Sequence, residues 1–139
     1  MYVALSATLN PMKEALRSSR VFKTAWFSKA ARKALITDAE LRRAITQVMI
    51  GQAGALGGGV FKKRLDKNRY RAVIIAGSGR GWIYEYLFAK KDKANIDGGE
   101  LAAFRSLVKI YSGLTEAQIA RLLADGDFLE IGHEDQSTF

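Results

Sequence analysis

Residues 60–92 read as three β-runs joined by connections too short to cross a sheet. The runs are Val60-Phe61-Lys62-Lys63-Arg64-Leu65, Tyr70-Arg71-Ala72-Val73-Ile74-Ile75, and Trp82-Ile83-Tyr84-Glu85-Tyr86-Leu87-Phe88-Ala89 continuing towards Asp92. Asp66-Lys67-Asn68 turns the first into the second, and Gly77-Ser78-Gly79-Arg80-Gly81 turns the second into the third. Parallel neighbours would need a crossover of about a dozen residues or more, so these runs pair antiparallel in sequence order. Everything else in the chain has to pack on that sheet.

The flanking segments supply the helices. Residues 21–26 (VFKTAW) predict a short opening strand, and residues 27–35 (FSKAARKAL) a helix with Ser28 near its start. Thr37-Asp38-Ala39-Glu40 has the form of a capping box, with Thr37 capping and Glu40 returning the bond. The helix behind it runs to about Ile50, with Leu41, Ala44, Ile45, Val48 and Met49 on one stripe that should lie on the sheet. The glycine-rich residues 51–59 are expected to be a flexible connection, since no Gly-Lys-Ser/Thr and no following helix marks them as a nucleotide loop. Asp97 caps a helix to about Tyr111 with Leu101, Phe104, Leu107 and Val108 on its apolar face. Thr115-Glu116-Ala117-Gln118 opens a last helix, and residues 127–131 form a closing strand. The expected fold is α+β: an N-terminal helical hairpin packed on an antiparallel sheet, with additional C-terminal helices.

Charge narrows the chemistry. The net charge of +8 is uneven: residues 1–59 carry nine cations and three acids, residues 60–93 ten and three, and residues 94–139 three and eight. A basic body with an acidic tail suits a polyanionic partner. Cations interleaved with aromatic rings on neighbouring strands suit RNA in particular, because ammonium and guanidinium groups neutralise phosphates while flat rings accept unstacked bases. With 139 residues and no cysteine, the chain fits one domain that lacks a disulfide framework, a thiolate metal site or a thiol nucleophile. No apolar run approaches the roughly 20 residues of a bilayer span, so a cytoplasmic location is expected. Residues 1–20 read as an extension, in which Met12 could serve as the natural start, and residues 132–139 as an acidic tail.

Metal-free RNA cleavage requires deprotonation of a 2′-hydroxyl, stabilisation of a pentavalent phosphate and protonation of the leaving 5′-oxygen. Lys62 and Arg64 stand two apart on a strand and so share a face. Arg71 on the next strand and Lys91 at the end of the third are placed to complete a cation cluster. Strict alternation puts Glu85 with Ile83, Leu87, Ala89 and Lys91, so its carboxylate either serves the cluster as a general base or forms a cross-strand ion pair with Arg71 or Arg64. Alternation also groups Trp82, Tyr84, Tyr86 and Phe88 as an opposite stripe that reads as sheet core. Lys63, Arg69, Arg80, Lys90 and Lys93 are candidate RNA contacts, Lys63 and Lys90 as solvated strand-end lysines. His133 is the one histidine and sits in the acidic tail. No carboxylate or histidine spacing suggests a metal, and no cofactor is expected.

These residues carry a resemblance. Phe22-Lys23-Thr24, Ala31-Arg32-Lys33, Leu35-Ile36-Thr37-Asp38, Gly57-Gly58-Gly59-Val60-Phe61-Lys62-Lys63-Arg64-Leu65, Tyr70-Arg71 and Phe88-Ala89-Lys90-Lys91-Asp92 followed by Asn95-Ile96 resemble the RelE/ParE superfamily of bacterial type II toxin–antitoxin toxins. The likeness covers about residues 20–131. It implies a small α/β fold and two target classes: RelE-like members cut mRNA on the ribosome without metal, and ParE-like members inhibit gyrase. Aligned around Tyr70-Arg71, Lys62, Arg64, Arg71 and Lys91 fall on the catalytic cations of the RelE-like pattern, while its late tyrosine falls at or near Asp97. The resemblance further implies a cognate antitoxin, expected to be a helix-turn-helix protein from the adjacent gene, and operator-DNA binding through that antitoxin alone. A gyrase inhibitor and a non-catalytic RNA-binding module are the alternative readings.

Overall fold

Thr24 converts the opening strand into a helix. Val21–Thr24 form β1, and the Thr24 side chain accepts a hydrogen bond from the Phe27 amide at 3.0 Å, so α1 begins at Ala25 and runs to Lys33. The structure, a computed structural model, describes residues 19–77, 79 and 81–132. Residues 1–18 of the N-terminal extension (with Met12), Arg80, and residues 133–139 of the tail (with His133) lie outside the described residues. α1 closes in a Schellman motif: the Ile36 amide reaches the Ala31 carbonyl (2.9 Å) and the Leu35 amide reaches that of Arg32 (3.1 Å). This places Leu35 at φ +60° with 86 % of its surface exposed. A left-handed leucine costs about 1–2 kcal/mol and nothing apolar is gained here, so Leu35→Gly should raise the melting temperature, with a net gain of ~0.5–1 kcal/mol after the added unfolded-state entropy. An unchanged or lowered melting temperature would show that Leu35 makes a stabilising contact.

α2 (Asp38–Met49) is capped by Thr37, which accepts from the Glu40 amide at 3.2 Å. The expected return bond is not made. Glu40 instead accepts from the Asp66 amide at 2.6 Å, so its carboxylate ties α2 to a turn of the sheet. The remaining elements are β2 (Gly54–Gly57), β3 (Val60–Leu65), β4 (Tyr70–Ala76), β5 (Trp82–Ala89), α3 (Gly98–Ser112), α4 (Glu116–Ala124) and β6 (Phe128–Glu130). The two C-terminal helices start where expected, and each is closed by a capping box, Asp97 with Glu100 and Thr115 with Gln118.

The sheet order is β2-β3-β4-β5-β1-β6. β1 lies parallel to β5 and antiparallel to β6, so the sheet is mixed rather than wholly antiparallel as expected. The glycine-rich segment is a second correction: Gly54–Gly57 pair with β3 as an edge strand. Gly57, Gly58 and Gly59 all have positive φ (86°, 65° and 88°), a run that only glycine adopts cheaply, so these residues build a tight hairpin rather than a flexible connection.

Helices α1 and α2 cover one face of the sheet, where Phe27, Leu41, Ile45 and Val48 pack on Leu65, Ala72, Ile74 and Tyr84. The buried Tyr84 hydroxyl donates to the Leu41 carbonyl at 2.6 Å, which satisfies the polar atom and fixes α2 on β5. On the opposite face Val60, Val73, Ile75 and Ile83 meet Ile119 of α4 and the half-buried Leu101, Phe104 and Val108 of α3. A β-bulge divides β5 between these layers: Ile74 pairs with Tyr84 and Val73 with Tyr86, leaving Glu85 as the extra residue. The bulge reverses the face assignment that alternation predicted. Trp82 and Tyr84 face α1 and α2, whereas Tyr86 and Phe88 join Val73 and Arg71 on the other side.

Candidate nucleic-acid interface

Arg64 and Arg71 are direct cross-strand partners on β3 and β4, and Lys62 lies two residues along on the same face. Like charges directly opposite one another destabilise a sheet, and neither arginine forms an ion pair among the described residues. Their tips diverge. Lys62 donates to Asn95 Oδ1 at 3.1 Å. Arg64 is exposed, at the part of β3 that extends beyond its last pairing with β2, and lines an open cleft of about 510 Å³ with Arg43, Gln47 and Lys67. Arg71 is only 8 % exposed and donates to the carbonyls of Asn68 (3.0 Å) and Tyr70 (3.2 Å). It thereby braces a turn in which Asp66, Lys67 and Asn68 all have positive φ (50°, 53° and 73°). Arg71 is thus an organiser of this corner as well as part of its charge.

Lys91 does not join that group. It lies in the turn after β5, beside Lys33 of α1. Glu85 does not join it either, and it pairs with neither Arg64 nor Arg71. At the bulge its carboxylate is half-buried and accepts from the Tyr111 hydroxyl at 2.6 Å. Burial pushes the Glu85 carboxyl above its ordinary range, only partly offset by that hydrogen bond, and burial and the same carboxylate raise the Tyr111 phenol. A carboxyl raised on folding contributes stability while protonated and loses it as pH climbs through its folded-state value. Glu85→Gln keeps an acceptor for Tyr111 and should therefore raise the melting temperature at pH 7–8 but not near pH 4. A gain of equal size at both pH values would refute this account.

The expected RNA contacts divide. Lys63 is not a solvated lysine: it sits on the α1/α2 face, half-buried, with its ammonium on the Gln52 carbonyl at 3.2 Å, and desolvation, followed by the Arg64 charge, lowers its pKa. Arg69 pairs with Asp66 within the turn (3.2 Å), and Lys93 with Glu100 (2.8 Å). Lys90 is exposed and forms no ion pair among the described residues.

A second basic surface was not foreseen. β5 runs on from Tyr84, its last residue paired with β1 (to Lys23), to Ala89, and α1 lies along that free edge. Between them is a cleft of about 720 Å³ lined by Trp26, Lys29 and Lys33 of α1, Tyr86 and Phe88 of β5, and Lys91 and Lys93 of the following turn. Trp26 is 53 % exposed and stacks on Tyr86, with ring centroids 5.1 Å apart and planes at 25°. Helical spacing was the available signal, since Trp26, Lys29 and Lys33 recur at three and four residues; reading Trp26 as strand concealed it.

Among the described residues no three His, Asp or Glu side chains are grouped to hold a metal, and no helix is long and apolar enough to cross a membrane. Comparison with curated proteins and with solved structures returns no match. A family model does match, and it covers residues 19–131, from just before β1 to just after β6. The model is that of the RelE toxin of the RelE/RelB toxin–antitoxin system, and the chain belongs to this family.

Proposed function

We propose that this toxin is an mRNA endoribonuclease, silenced by a RelB-type antitoxin, that cleaves RNA through its own 2′-hydroxyl. The observation that carries this reading is the in-register pair Arg64 and Arg71 with Lys62 beside it, a cation group without an acidic partner among the described residues. Such a group is electrostatically costly in the free protein and is relieved by a phosphate. In the reaction the 2′-oxygen forms a bond to phosphorus and the bond to the 5′-oxygen breaks. This gives a 2′,3′-cyclic phosphate and a 5′-hydroxyl, with the proton lost by the 2′-hydroxyl balanced by the one gained at the 5′-oxygen. Arg64 and Lys62 stabilise the charge that grows on the phosphate oxygens, and Arg71 holds the turn that sets the geometry. A gyrase inhibitor has no need of this cation group.

The antitoxin is expected to place an acidic segment over Arg64 and Arg43, because complementary charge both steers association and covers the site. Induction of the toxin without its partner should arrest growth, and primer extension on total RNA should reveal new 5′ ends inside coding regions. Intact transcripts accompanied by accumulating DNA breaks would move the target to gyrase.

A further inference from the structure

The cleft along the free edge of β5 and the cleft adjoining it are lined by four lysines that stand apart from the Arg64 corner, Lys29, Lys33, Lys90 and Lys91. Lys29 and Lys33 lie four apart on α1, a helix that contains no acidic residue to offset their repulsion. Lys91 faces Lys33 across the cleft, and Lys90 lines the adjoining cleft of about 750 Å³, which shares Lys33, Tyr70 and Lys91 with the first. None of the four forms an ion pair or side-chain hydrogen bond among the described residues. At the head of the cleft is the Trp26 ring, backed by Tyr86 and more than half exposed. Tyr86 is in turn set by Phe88 and Phe104, each 5.9 Å away centroid to centroid, so the platform is rigid.

Resting on the endoribonuclease reading above, we propose that this cleft binds single-stranded RNA beside the cleavage site, with Trp26 stacking on one unpaired base and Lys29, Lys33, Lys90 and Lys91 neutralising phosphates. An acidic protein segment would match the charge, but it has no use for a flat ring supported on one side and open on the other. A base gains its stacking energy from such a ring whatever its identity. Duplex RNA keeps its bases stacked and cannot offer one. The position also fits. Phe88 lines the cleft and is the cross-strand partner of Arg71, which in turn pairs with Arg64, so the backbone of one lining residue stands two strand spacings, about 10 Å, from that of Arg64. A strand held there is led onto the cation corner.

The test uses the free toxin and a 2′-O-methyl hexaribonucleotide, which binds but cannot be cleaved through its 2′-oxygen. Binding should quench that part of the tryptophan emission which disappears in Trp26→Leu, a variant that keeps apolar bulk but has no ring. Trp26→Leu should weaken binding about tenfold, and Trp26→Tyr should restore most of it. Lys29→Gln with Lys33→Gln should lower the salt dependence of binding by about 0.7 per lysine. Unchanged affinity in Trp26→Leu with no quenching overturns the proposal. So does quenching by an acidic antitoxin peptide but not by the oligonucleotide, which would make the cleft a protein-docking surface. The two readings fail separately: binding through Trp26 in a protein that cleaves no RNA sinks the nuclease and keeps the cleft, whereas cleavage with unchanged KM in Trp26→Leu sinks the cleft alone.

Discussion

Arg64→Ala is expected to slow RNA cleavage by about 10²-fold or more, while Lys63→Ala, which removes the same charge one residue earlier, changes the rate by only a few fold. The two side chains leave β3 on opposite faces. Arg64 is exposed beside Arg43 and Lys67, whereas Lys63 is spent on the Gln52 carbonyl beneath α2. A preorganised donor aimed at developing charge contributes on this scale, and a bystander charge contributes mainly to encounter. Arg71→Ala should also slow cleavage, but together with a lower melting temperature, because the Asn68 and Tyr70 carbonyls lose their donor at a turn with three left-handed residues. Arg64→Ala relieves the like-charge pair and should melt no lower than the parent protein, so thermal melts separate a direct role from an organising one. Equal rate losses for Arg64→Ala and Lys63→Ala would reduce the cation face to a general attraction for RNA.

Several local signals were read correctly because the deciding interaction lay within a few residues, although the equally local Thr24 cap and the hairpin at residues 57–59 were not. Asp97 and Thr115 cap their helices inside one turn, and the antiparallel order β3-β4-β5 follows from two short connections. Thr37 with Glu40 has the same local form, yet the glutamate went to Asp66, 26 residues away, because an unpaired amide in the β3–β4 turn competed for it. The parallel insertion of β1 between β5 and β6 was equally invisible, since it depends on pairing across most of the chain. The costliest misreading was the bulge. One extra residue at Glu85 turned Tyr86 and Phe88 over to the Arg71 side, and alternation carries no sign of it. The site therefore read as a cluster of Lys62, Arg64, Arg71, Lys91 and Glu85, when the chain holds two adjoining basic surfaces and a half-buried carboxyl apart from both.

Gly81→Ala should be among the most disruptive substitutions in the protein, with a destabilisation of about 3 kcal/mol or more. Gly81 has φ +116°, and a β-carbon there would collide with the Arg20 carbonyl oxygen and stand 3.1 Å from its carbon. That carbonyl accepts from the Trp82 amide at 2.9 Å and opens the parallel β1–β5 pairing, so backbone, not a flexible side chain, would have to yield. Gly126→Ala is the matched control: it too has positive φ (79°), but nothing among the described residues lies within 4 Å of the added carbon, so only the conformational cost of about 1 kcal/mol applies. The difference between the two variants in urea or thermal unfolding measures the collision itself. Because Thr24 passes β1 directly into α1, a displaced β1 also carries Trp26 and Lys29 away from the edge of β5. Gly81→Ala should consequently reduce single-strand RNA binding at temperatures where the protein is still folded, and Gly126→Ala should not. If both variants unfold at the same urea concentration, Arg20 moves aside at little cost and the β1–β5 junction does not fix the cleft.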